Sequence, residues 1–252
     1  TVIGAEIAAN AAPDGYTLLL ATVTTLAVAP ALSARLPYKP EEFVAISMLA
    51  AQPYALALHP SVPATTIPQL VAHAKANPGK LSFASAGVGT SAHLAGEMFK
   101  QMAGVNVVHV PYKGGGPALN DLLAGQVAYM FGGISGLAPH AQTGKVRILG
   151  VSSAKRSASA PEIPTVAEGG LPGYSTNTWN SLVAPRGTPA AIATRLNAEV
   201  NVVMNLPEVK DRLKKQGIDP EPGTQAQLLA HVKSEITRFA ALIKAIGLQK
   251  LD

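Results

Sequence analysis

No cysteine occurs anywhere in the chain, which excludes disulfides, thiolate metal sites and cysteine nucleophiles. Charged residues are scarce at 14% against 48% hydrophobic ones, the balance of a folded rather than a disordered chain. Long apolar runs are missing as well, since none approaches the roughly 18 residues that a membrane helix requires. No part of the chain is therefore expected to be embedded in a bilayer. No G-x-S-x-G elbow, H-E-x-x-H zinc helix or G-x-x-x-x-G-K-[ST] phosphate loop is present, and the six His are scattered. Neither a metal, a cofactor nor an enzymatic activity is expected. The opening TVIGAEIAANAAPDGY has no initiator Met and no basic stretch before an apolar one, so the chain reads as processed or trimmed.

The net charge of +5 suits an anionic partner, or simply solubility. Nucleic acid is not the expected partner. The basic cluster Lys210, Arg212, Lys214 and Lys215 has Glu208 and Asp211 among it and no interleaved aromatic residue.

At 252 residues the chain is long enough for one large domain or two lobes. The most informative stretch is KLSFASAGVGTSAHLAGEMFKQMAGVNVVHVPYK, residues 80–113. A short β run at 80–84 leads into a loop of small residues from Ser85 to Thr90. Ser91 suits the N-cap of a helix that buries Leu94, Ala95, Met98, Phe99 and Met102 and stops at Gly104. A second β run at 105–110 completes a β-loop-α-β unit. Open backbone N–H groups near Gly87 and Gly89, at a helix N-terminus, make a seat for an anion, and His93 lies in the first turn of that helix. Gly87 to Ala92 also fits the looser G-x-G-x-x-A dinucleotide pattern, but no Asp or Glu follows about twenty residues on to hold a ribose.

Elsewhere, residues 16–21 (YTLLLA) read as a fully buried strand. Thr24 and Thr25 follow in a loop offering hydroxyls at its C-terminal end. Tyr112 and Trp179 suit either a ligand cover or an ordinary core. Glycines 114–116 read as a loop, 127–131 as a strand, and 152–178 as a long connection. A helix is expected after a Thr188 N-cap, and a last one behind a Thr224/Gln227 capping box. Alternating strands and helices predict a parallel α/β sheet.

Four segments, PDGYTLLLA at 13–21, LSFASAGVGTSAHLAGEMF at 81–99, HVPYKGGGPALNDLLAGQV at 109–127, and GKVRILGVSSAKR with PEIPTVAEGGLPGY at 144–156 and 161–174, resemble the substrate-binding receptors of tripartite tricarboxylate transporters, the Bug receptors. The resemblance implies an α/β type II periplasmic binding-protein fold with two lobes and a hinge of two crossing strands. Lobe 1 is expected over 1–56 and 183–252 and lobe 2 over 57–182, with 54–58 and 179–184 as the crossings. It implies a periplasmic receptor, its signal peptide removed, that works as a monomer and delivers a small carboxylate to membrane permease subunits. The alternatives are a small-molecule enzyme on the same scaffold or a sensor subunit.

By the same resemblance, Ser85, Gly87, Gly89, Thr90 and Ser91 match a loop that holds a ligand carboxylate, Thr24 and Thr25 match hydroxyls of the other lobe, and Tyr112 flanks the cleft. Gly132 stands where relatives often carry an Asp associated with a ligand amino group, which implies a plain organic acid rather than an amino acid. Relatives carry a further strand and a Pro- and Gly-rich ligand loop before a segment like residues 1–16. Lobe 1 is thus expected to lack them, and affinity no better than high micromolar is expected if that loop is truly absent.

Overall fold

The computed structural model describes residues 2–248. Its elements run α1 (Val2–Ala9), β1 (Leu19–Thr22), a π-helical turn (Thr24–Val28), α2 (Ala29–Leu32), a 3-10 turn (Pro40–Glu42), β2 (Phe43–Gln52), β3 (Tyr54–Leu58), α3 (Ile67–Ala76), β4 (Ser82–Ser85), α4 (Ser91–Ala103), β5 (Val108–Pro111), α5 (Gly115–Leu123), β6 (Tyr129–Gly133), α6 (Ile134–Gln142), β7 (Arg147–Val151), β8 (Thr178–Pro185), α7 (Ala190–Asn205), α8 (Pro207–Lys215), β9 (Asp219–Pro220) and α9 (Gln225–Ala245). They form two compact units, one of residues 1–51, 178–213 and 219–252, the other of 52–177 and 214–218. The changes at 51/52 and 177/178 fall five residues before the expected 56/57 and 182/183. The cause is pairing: β3 bonds only to strands of the second unit, and β8 bonds to β1 of the first.

The second unit holds a five-stranded sheet in the order β5-β4-β6-β3-β7. β5, β4 and β6 are parallel, whereas β3 runs antiparallel to both β6 and β7. The expected all-parallel sheet is therefore mixed. Its two faces follow from the period of two along each strand. Leu56, Leu58, Phe83, Tyr129 and Phe131 point to one side, where α4 and α3 bring Phe99, Ile67 and Leu70. Ala55, Ala57, Ala84 and Met130 point to the other, where Leu122 of α5 and Ile134 and Leu137 of α6 pack. Alanines on that side let α5 and α6 approach the sheet closely. The 152–178 connection straps the first face: Tyr174 stacks on Phe131 with ring centroids 5.9 Å apart and donates its hydroxyl to Ala95 O at 2.9 Å. On α4, Met102 is 37% exposed rather than buried, one turn beyond the seat of Phe99.

The first unit has a four-stranded sheet, β1-β8-β2-β9, with β1 antiparallel to β8. The run 16–21 is not a buried strand. β1 covers only Leu19–Thr22, at an edge of the described sheet; Tyr16 (94% exposed) precedes it, and Leu20 (60%) points to a face that is left open. The expected loop after it is the π-helical turn, tied by Thr25 N–H to Thr22 Oγ1 at 3.3 Å and by the Tyr38 hydroxyl to Thr25 O at 2.8 Å. α7 is capped by Pro189 rather than Thr188, whose hydroxyl donates instead to Pro185 O. α9 opens with the expected Thr224/Gln227 capping box.

Candidate functional site

Parallel pairing of β4 with β5 puts Ser85 opposite Pro111, and the chain leaves β4 into the 86–90 loop. Thr90, extended at φ −74° and ψ 157°, is the N-cap of α4, and its Oγ1 accepts the His93 N–H at 3.3 Å. Ser91, the expected cap, is the first helical residue. The Thr90 hydroxyl also donates to Gly87 O at 2.8 Å and closes the loop on itself.

The two amides expected to be open are engaged. Gly87 N–H donates to Ser85 Oγ and Gly89 N–H to His93 Nδ1, each at 3.2 Å. Positive φ values of 137° and 77°, which suit glycine, turn both groups inward. Of the four N–H groups that a helix leaves over at its start, Thr90 N–H donates to Gly87 O and His93 N–H to its cap. Ser91 and Ala92 keep theirs without an intrahelical acceptor.

Ala92 lines a cavity of about 410 Å³, which also takes in Ala86, Gly115, Gly116, Gly132, Gly133, Ser135 and Gly136. Three helices of nine or more residues therefore begin at this one space: α4 at Ala92, α5 at Gly115 and Gly116, α6 at Ser135 and Gly136. None has an acidic residue in its first turn, and among the described residues no charged side chain lines the cavity. The potential there is set by helix ends, which favour negative charge. Leu119, Met130, Phe131, Leu137 and Tyr54 supply an apolar wall. The arrangement offers backbone donors for an anionic head and a greasy surface for the body attached to it. Among the described residues, no group of three His, Asp or Glu side chains could hold a metal ion.

Of the residues singled out from the sequence, Gly132 lines the cavity. Ser85, Gly87, Gly89, Thr90, Ser91 and His93 form the loop and helix start whose ends, Ala86 and Ala92, reach it. Ser85 and His93 are buried and bonded within the protein. Tyr112 stands outside it, donating its hydroxyl to Asp121 Oδ2 at 2.6 Å, and burial together with that carboxylate pushes its pKa up to about 12. Thr24 and Thr25 belong to the first unit. So does Trp179, which is 1% exposed and donates its indole N–H to Glu235 Oε2 at 3.2 Å. The lining residues missed were Gly115, Gly116, Ser135, Gly136 and the apolar wall. Their only mark in the sequence is that glycine pairs stand where α5 and α6 begin.

The chain matches the model of the tripartite tricarboxylate transporter family receptor over residues 1–248. It is 41% identical over 244 residues to the UPF0065 protein of the tcbD-tcbE intergenic region of Pseudomonas sp. (strain P51), covering 96% of this chain and 72% of that one. It is 36% identical over 248 residues to Protein BugT of Bordetella pertussis, covering 98% and 76%. Among solved structures, R. palustris Rpa4515 with adipate is similar with a TM-score of 0.88 at 33% identity, over 99% of this chain and 84% of that one. The two α/β units are those of a periplasmic binding-protein fold, and no described helix is long and apolar enough to cross a membrane. On the family match over nearly its whole length, this chain belongs to the tripartite tricarboxylate transporter receptors, which bind solutes and are not enzymes.

Proposed function

We propose that the chain is a periplasmic receptor that takes a small organic carboxylate into the cavity of its second unit and hands it, as a single copy, to membrane permease subunits. The observation that carries this is the meeting of three helix N-termini on a space free of acidic side chains. Rpa4515, which is similar throughout, was solved with adipate. Three hydrogen bonds to a carboxylate contribute ~1.5–3 kcal/mol each, and each methylene laid on the apolar wall adds ~0.8 kcal/mol. Association costs at least ~4 kcal/mol in lost freedom. An acid with an aliphatic or aromatic body thus reaches the ~8 kcal/mol of micromolar binding more readily than a small polar one.

Calorimetric titration with adipate, succinate, citrate, benzoate, glutamate and aspartate tests this. Binding is expected for the plain acids, with those of larger apolar body ahead. Tight binding of the amino acids, or none of any acid, contradicts it.

A further inference from the structure

Three rings from three elements stack behind the 86–90 loop: His93 of α4 on His109 of β5 with centroids 4.0 Å apart, and His109 on Phe83 of β4 at 4.8 Å. Both inner amides of the loop depend on this stack. Gly89 N–H donates to His93 Nδ1. Gly87 N–H donates to Ser85 Oγ, which is hydrogen-bonded to His109 Nε2 at 2.7 Å and donates to Gly87 O at 3.1 Å. Only an unprotonated Nδ1 can accept a hydrogen bond, so the geometry requires a neutral His93 carrying its proton on Nε2. Adding a proton sets two N–H donors face to face at 3.2 Å in a site only 3% exposed.

We propose that His93 is the positioning residue of the cavity: its neutral ring holds the Gly89 amide, thereby setting the loop and the first turn of α4 for the ligand, and its protonated ring lets both go. The proposal rests on the carboxylate reading of the cavity and adds a control to it.

The charged and titratable groups facing the ring decide the direction. From α4, Glu97 Oε1 lies 3.9 Å from Nε2 but already accepts Lys100 Nζ at 2.8 Å. His109 from β5 lies on the ring face, with the Ser85 hydroxyl of β4 behind it, and the buried Tyr129 hydroxyl of β6 has no hydrogen-bond partner among the described residues. Burial lowers the His93 pKa most strongly, Glu97 raises it, and Lys100 lowers it again. His109 is brought down to about 4 by burial, then by His93 and Lys100. Release is therefore an acid-side event, below the ordinary imidazole range.

The test uses the chain itself, with adipate as probe, in the wild type, in His93→Asn, whose Oδ1 can take the Nδ1 position without titrating, and in His93→Leu. As the pH is lowered from about 7.5 through the His93 ring titration followed by NMR in the same samples, the wild type is expected to lose about tenfold more affinity than His93→Asn, the equivalent of one ordinary hydrogen bond. Comparison with His93→Asn cancels the titration of adipate. His93→Leu is expected to bind about tenfold more weakly already at the upper pH. Independently of any ligand, the Gly89 amide resonance should move with the His93 ring titration in the wild type and stay still in His93→Asn. Parallel loss of affinity in wild type and His93→Asn overturns the proposal while leaving the carboxylate reading intact. If adipate does not bind, the Gly89 resonance decides: an amide indifferent to the ring titration overturns the proposal too.

Discussion

Gly132 shows how much one missing side chain can matter. A Cβ added there would meet Leu137 Cδ1 and Met130 Cε at 3.1 Å, both ends of flexible side chains, so the space can be made. Gly132→Asp would then set a carboxylate in a cavity whose lining holds no cation to neutralise it. Adipate binding is expected to weaken at least tenfold, about 1.4 kcal/mol of like-charge repulsion, while glutamate gains. Titration of both acids checks this, and unchanged adipate affinity would remove Gly132 from the site. Gly132 was singled out in the sequence from the family pattern, and it lines the cavity. That the Gly87 and Gly89 amides are taken was not legible there, because it depends on the His93 ring reaching back past the start of α4 to Gly89 and on Ser85 turning under its own loop.

Single elements were legible in proportion to how local their causes are. The β4-α4-β5 unit could be read because Leu94, Ala95 and Phe99 repeat at helical spacing and Gly104, at φ 61°, ends the helix in the left-handed region. β1 could not, since an unbroken apolar run fits a covered strand and an edge strand equally. The helix through Leu119, Leu122 and Leu123 was legible from its apolar spacing, but its first turn was read as loop because glycine is a poor helix former. Gly115 and Gly116 start it nonetheless, and their missing side chains leave the cavity open. The cap of α4 carries its own prediction. Thr90→Ala removes the acceptor of the His93 N–H and the tie to Gly87 O, so a loss of ~0.5–2 kcal/mol in stability is expected. Weaker adipate binding should accompany it, because the freed turn carries the Ser91 and Ala92 amides. Chemical denaturation and calorimetry on the one variant would show whether the two losses come together.

At the scale of the molecule, acid sensitivity follows from three imidazoles. His93 and His109 in the second unit and His231 in the first all have pKa values lowered chiefly by burial, His109 to about 4. His231 packs edge-on against Trp179, and its Nε2 has no hydrogen-bond partner among the described residues. Because the folded values lie below the free value of 6.5, the unfolded chain takes up protons first as the pH drops. Stability is thus intact above about pH 6.5 and erodes from there down to about pH 4, where His109 itself protonates in the folded state. Melting temperatures across that window should fall on acidification, and less steeply in His109→Asn. A flat profile would mean that the rings are hydrated.

The unpaired margin of β1 has a different consequence. Among the described residues β1 has a strand neighbour on one side alone, and Ile3, Ile7, Tyr16 and Leu20 of this region leave apolar side chains in water. Such margins invite edge-to-edge aggregation unless a lysine or a bulge blunts them. In concentrated solution this polypeptide should scatter light more as its concentration rises, and Leu20→Lys should delay the onset while leaving adipate uptake in the second unit as it was.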